Sequence, residues 1–168
     1  MEAMQCGLSW NLVLQKREIL RQCFAGFDYN QVAQFTDADV QRILSTEGMI
    51  RSERKIRAVI GNTKVFRQIQ QEYGSFDKYI WSFTDNKIII FQDAQPTQCD
   101  ASRRLGEDLK KRGAKYLGPV VLHSHMEAMG LIIPNRSLEN FAFFLSMNRI
   151  EKAYCVSIQM LLRWYNLL

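Results

Sequence analysis

The chain has 168 residues, 47% of them hydrophobic and 23% charged, with a formal net charge of +5. That is enough for one domain with a real core, and the composition is ordinary for a globular protein. The four cysteines, Cys6, Cys23, Cys99 and Cys155, form no C-x-x-C pair, which argues against a disulfide framework or a zinc knuckle and fits a reducing cytoplasm.

From Leu8 to Phe24, apolar residues at Leu8, Leu12, Ile19, Leu20, Cys23 and Phe24 suit one helix face, ended by Gly26. Asp28 is placed to cap a short turn over 29–34. Thr36 with Asp39 resembles a capping box for DADVQRILS. Ser52 is expected to cap the next helix, which runs to about Gln71 and closes at Tyr73-Gly74. SFDKYIWSF reads as a short aromatic helix. NKIIIFQ is the only strand-like run, and with no visible sheet to join it reads as an extended connector or hairpin arm. Asp100 is expected to cap a helix over 101–112, broken by Gly113. Gly118-Pro119 opens another helix that ends near Gly130. Beyond Pro134 the chain reads helical again. There is no internal repeat or low-complexity linker. The expected fold is all-α, with a helical domain over 1–134 and a divergent helical segment over 135–168. No signal peptide is expected, and AYCVSIQMLLRWYNLL is too short and too polar to span a membrane.

Three stretches could carry chemistry. In LKKRGAKYLGPVVLHSHMEAMG, residues 109–130, two helices flank a turn bounded by Gly113 and Gly118, and Pro119 starts the second helix. Amides near Val120 and Val121 would point out of a helix N-terminus, where a phosphate oxygen fits. Lys110, Lys111, Arg112 and Lys115 surround that point, and such a site holds DNA without reading its sequence. The plainer reading is a helical hairpin with a solvated basic face.

In GMIRSERKIRAVIGNTKVF, residues 48–66, Arg51, Arg54, Lys55 and Arg57 cluster at a helix start. Ile56, Val59, Ile60 and Val65 form a buried stripe, so a basic solvent face on a core helix explains the pattern equally well. In MEAMQCGLSW, Glu2 and Trp10 would lie about two turns apart on a helix and nearly in line. A carboxylate beside an indole face suits a flat cationic ring; otherwise they are a surface glutamate and a core tryptophan. His123 and His125 are two apart and lack the spacing for shared metal ligation. No Ser-His-Asp, P-loop or G-x-G-x-x-G pattern is present.

Taken in order, E-x-x-Q-x-GLSW, LxKRE, GMIRSERKIRAVIGNT, WSF and LKKRGAKYLGP…M-x-A-x-G resemble the DNA-3-methyladenine glycosylase I family, among the helix-hairpin-helix DNA glycosylases. The resemblance covers about residues 2–133. It implies a base-excision repair hydrolase that flips 3-methyladenine out of duplex DNA and hydrolyses its N-glycosidic bond. It puts the base-recognising, catalytic glutamate on Glu2 and the pocket tryptophan on Trp10. The DNA-binding hairpin falls on about Gly113–Gly118 with Pro119, and Arg51, Arg54, Lys55, Lys111, Arg112 and Lys115 are the expected DNA contacts.

The family's N-terminal segment, with a zinc-ligating cysteine and histidine and aromatic pocket walls, has no counterpart ahead of Glu2, and the chain reads LIIPNRSLENFAFF where the other zinc ligands would fall. The expectation is therefore no zinc or other cofactor, and reduced activity from natural truncation, a late start codon or a fragmentary gene. The aspartate usual after the hairpin in the family's relatives is also not evident, with Asn135 and Glu139 nearby. The expected partner is duplex DNA carrying alkylated bases, with no membrane contact, and the protein is expected to be a cytoplasmic monomer. The alternatives are a non-catalytic helix-hairpin-helix DNA-binding module and a helical protein–protein scaffold that uses the aromatic tail.

Overall fold

The computed structural model describes residues 1–91 and 96–134. The expected helical segment beyond Pro134, with Asn135, Glu139 and Cys155, lies outside these. The described chain is helical apart from two short strands. Its helices are α1 (Glu2–Gln5), α2 (Trp10–Gln15), α3 (Arg17–Cys23), α4 (Tyr29–Val32), α5 (Asp37–Ser45), α6 (Glu53–Tyr73), α7 (Phe76–Ser82), α8 (Asp100–Lys111) and α9 (Pro119–Ala128). The strands are β1 (Ile89–Phe91) and β2 (Ile132–Pro134). The described residues form two compact units, one from Met1–Tyr79 with Gly106–Gly118, the other from Ile80–Leu105 with residues 119–134.

In the first unit, α2 to α6 bury Val13, Leu20, Phe24, Val32, Val40, Ile43, Ile56 and Ile60 in one cluster with Met4 of α1. Each such side chain contributes about 1.5–3 kcal/mol relative to exposure. The expected helix over Leu8–Phe24 is broken at Lys16 (φ −93°, ψ 4°), whose N–H is shared between the Leu12 and Val13 carbonyls at 3.3 and 3.1 Å. The break shifts the phase of the buried stripe, so Val13 is buried while Leu12 is exposed.

Several helix ends form as their residues predict. Asp28 accepts from the Asn30 N–H at 2.8 Å, and Asp39 reaches back to the Thr36 N–H at 2.9 Å. Gly74 closes α6 in the left-handed conformation at φ +81°, which a residue without Cβ adopts at little cost. Two caps differ. The Ser52 side chain makes no cap bond to α6. Asp100 lies inside the first turn of α8 and pairs with Arg104 at 2.9 Å. Here the buried Ser102 accepts from the Cys99 N–H at 3.0 Å and serves the helix start instead.

In the second unit the expected lone extended run has a partner. β1 pairs in parallel with β2, Ile89 opposite Ile132 and Phe91 opposite Pro134, and the Ile89 N–H donates to the Leu131 carbonyl at 2.9 Å. Three residues ending in proline carry too little alternation to read as a strand in sequence. Among the described residues no helix is long and apolar enough to cross a membrane.

Candidate functional site

The opening stretch is not one helix. α1 ends at Gln5, the chain turns through Gly7 at φ +74°, and the extended Ser9 caps α2, accepting from the Leu12 N–H at 3.3 Å. Glu2 and Trp10 therefore sit on two helices, and the in-line helical spacing expected of them does not exist. Glycine permits the left-handed turn at position 7 and the Ser9 cap restarts the helix. The Glu2 side chain is 36% exposed, and its carboxylate lies 3.3 Å from the Met1 amine. Trp10 is half-buried against the core, with its indole N–H buried and making no hydrogen bond among the described residues. An unpaired buried donor is costly.

Lys55 fastens α1. Its Nζ donates to the Met4 carbonyl at 2.9 Å, one of the carbonyls a helix end leaves without an internal partner. The hydrogen bond expected to go to a phosphate goes here to protein backbone, in a half-buried setting. Arg57, from the same basic cluster, is held by Glu53 at 2.8 Å and by Asp37. Its hydrogen bonds to Asp37 and then Glu53 raise its pKa further. Arg51 and Arg54 are exposed and pair with no carboxylate among the described residues.

The turn after α8 is closed by a specific device. The Gly113 N–H donates to the Lys110 carbonyl at 3.0 Å, and the Ala114 N–H to the Leu109 carbonyl at 2.9 Å. With Gly113 at φ +94°, this is the Schellman pattern, in which glycine takes the left-handed position just past the helix. Gly118 is not in that region, and Pro119 begins α9 as expected. Lys110, Lys111 and Lys115 are exposed and form no salt bridge among the described residues, although Lys111 acts at longer range on Asp108.

Arg112 departs from expectation. It donates from Nε to Asp108 at 2.6 Å and from a terminal nitrogen to Glu72 at 2.7 Å. Its guanidinium lies 5.5 Å from the Tyr79 ring centre and 5.8 Å from that of Tyr73. The fully buried Tyr79 donates its hydroxyl to the same Asp108 at 2.7 Å. Burial pushes the Asp108 carboxyl up, but the bonds from Arg112 and Tyr79 outweigh it and hold the group below the usual carboxylate range. Burial, then the bond to Asp108, raises the Tyr79 pKa. The charge on Arg112 thus has two carboxylate partners within the protein.

The sequence reading also missed Asn62. It is 5% exposed on α6, accepts from the Lys115 N–H at 2.8 Å and donates to the Lys115 carbonyl at 2.9 Å. Its signal was a carboxamide at a buried position of a helix. Next to Lys115, the carbonyl of Tyr116 lies 3.5 Å from Cys6 Sγ, so the opening segment touches the turn. In the second unit His123 is buried, its ring 6.1 Å from Phe91. Its Nε2 lies 3.5 Å from Glu127, too long for a good hydrogen bond, and neither ring nitrogen makes one among the described residues.

Comparison with known proteins identifies the family. A family model described as methyladenine glycosylase matches residues 1–138. The chain is 40% identical over 136 residues to DNA-3-methyladenine glycosylase 1 of Escherichia coli K12, covering 79% of this chain and 73% of that one. It is 34% identical over 136 residues to DNA-3-methyladenine glycosylase of Haemophilus influenzae, covering 79% and 74%. A crystal structure of 3-methyladenine DNA glycosylase I superposes with a TM-score of 0.72 at 41% identity, covering 78% of this chain and 74% of that one. The Staphylococcus aureus enzyme, in a structure addressing 3-methyladenine recognition, gives 0.73 at 34% identity, covering 78% and 72%.

Proposed function

Because the chain belongs to the methyladenine glycosylase family, we propose that it removes 3-methyladenine from alkylated duplex DNA by hydrolysing the N-glycosidic bond. Methylation at N3 leaves a positive charge on the base, so the leaving group departs without strong protonation. Flipping a damaged nucleotide out of the stack costs only a few kcal/mol, less than for a sound pair. The Glu2 carboxylate attracts the cationic base and the positive charge that grows on the sugar as the bond stretches. The Trp10 face stacks on the base. Water then attacks C1′.

The observation that carries this reading is the junction at Cys6 and Tyr116. It sets the segment bearing Glu2 and Trp10 against the turn bearing Lys115, which follows Lys111 at the end of α8, within one compact unit. A duplex held by its phosphates at that turn presents a flipped base beside that segment. Arg51 and Arg54 supply further open cations. Among the described residues no three His, Cys, Asp or Glu side chains come together as a metal site. The described residues thus offer no cluster that fits the zinc implied by the family resemblance.

The test is release of free base from methylated DNA by this chain and by Glu2→Gln. Removing one preorganised charge-stabilising group slows such reactions by about 10²–10³, and that loss is expected of Glu2→Gln. Equal rates would remove Glu2 from the mechanism. Salt-sensitive DNA binding without base release would favour a non-catalytic helix-hairpin-helix module.

A further inference from the structure

We propose that Asn62 is a positioning residue for the DNA-contacting turn, an inference that rests on the glycosylase reading above. A carboxamide 5% exposed among Ile60, Val65 and Ile69 of α6 is an expensive choice for packing alone. Both of its ends are used, and both on Lys115: the oxygen takes the N–H at 2.8 Å and the nitrogen gives to the carbonyl at 2.9 Å. The side chain thus imitates a neighbouring peptide strand and matches the turn at one register only. The turn needs such a clamp. Tyr116 follows at φ +59°, a left-handed conformation uncommon for a residue with a Cβ, and one that persists only when surroundings hold it. With its backbone bound inward, Lys115 leaves its side chain exposed and without a carboxylate partner among the described residues. Asn62 touches no phosphate in this scheme. It acts through the placement of Lys115.

The experiment measures affinity for undamaged duplex across salt concentrations, and the single-turnover rate of base release at saturating DNA. The variants are Asn62→Ala, Asn62→Asp, Lys115→Ala, the double variant Asn62→Ala/Lys115→Ala, and Val65→Ala as a core control. Loss of one phosphate contact lowers the salt slope by about 0.9, equivalent to about eightfold in affinity near 0.1 M salt, and this is expected of Asn62→Ala. Its rate at saturation should stay within about twofold of the parent, because the loss falls on binding. Adding Lys115→Ala should weaken it little further, since both changes remove one contact.

Asn62→Asp presents a carboxylate to the Lys115 carbonyl and should bind weakly. As pH falls and that side chain protonates, donor and acceptor are both restored, and affinity relative to the parent should recover. Recovery of affinity beyond any recovery of melting temperature separates this role from packing alone. Should Asn62→Ala fail to fold, this pH arm decides. Affinity lowered no more than by Val65→Ala, full additivity with Lys115→Ala, or no recovery of Asn62→Asp in acid would overturn the assignment. A parent chain that binds DNA without salt dependence would overturn the DNA reading and this inference together. A salt-sensitive parent beside an unaffected Asn62→Ala overturns the inference alone.

Discussion

Replacing Arg112 by methionine separates a structural arginine from a DNA contact. The substitution keeps an apolar stem over the Tyr73 and Tyr79 rings and removes the guanidinium. The bond to Asp108 at 2.6 Å joins a side chain 20% exposed to one 37% exposed, and a charge-assisted bond of this kind contributes about 1.5–3 kcal/mol. Glu72 is 49% exposed, so that pair adds at most about 1 kcal/mol. Stacking of the cation over the tyrosines adds about 0.5–1 kcal/mol. Asp108 keeps the Tyr79 hydroxyl and some access to water, which limits the penalty on the carboxylate left behind. The expected loss is about 3 kcal/mol. At roughly 2–4 °C per kcal/mol for a chain of this size, the melting temperature falls by about 6–12 °C.

Calorimetry reads the stability change, and DNA affinity measured against salt at a temperature where both proteins are folded reads the contact. The slope should be unchanged. Acid gives a second readout. Asp108 titrates below the usual carboxylate range in the folded protein, so its contribution is full above that range and is lost as pH falls through the lowered value. The gap between parent and variant should therefore narrow in acid. An unaltered melting temperature with a salt slope smaller by about 0.9 would show that Arg112 binds a phosphate, and the structural assignment would be wrong.

Lys111→Ala and Lys115→Ala should weaken binding alike on all sequences, each flattening the salt slope by about 0.9 with little change in melting temperature; salt-insensitive parent binding would refute the electrostatic reading. We also propose that the purified protein holds no zinc, because the resemblance places none of the family's ligands on this chain and Cys6, Cys23 and Cys99 are free thiols among the described residues. Stoichiometric zinc by elemental analysis would overturn this.

Much of the local structure follows from the residues themselves. Asp28, the Thr36–Asp39 pair, Gly74, Gly113 and Pro119 mark helix ends because their conformational limits and short-range hydrogen bonds act within a turn of chain. The buried positions Ile56, Ile60 and Val65 follow from helical period, and the order of short motifs was sufficient to point to the family. Other features depend on partners distant in sequence. β1 becomes a strand only because Ile132–Pro134 lies beside it. Glu2 and Trp10 leave a common helix because Gly7 turns and Ser9 starts a new one, a choice that helical spacing does not reveal.

The basic residues make the difference clearest. In sequence, Lys55, Arg112, Lys111 and Lys115 are equivalent positive charges. Folding brings the Met4 carbonyl to Lys55 and Asp108 and Glu72 to Arg112, while Lys111 and Lys115 remain open. Charge belongs to the residue and is visible in composition. Whether a charge is already answered depends on acceptors within a few ångströms, and for Lys55 the Met4 carbonyl, like Glu72 for Arg112, arrives only through tertiary packing. Asn62 lies at the far end of that scale, since its partner is a peptide group 53 positions away, and a backbone acceptor leaves no mark in the sequence.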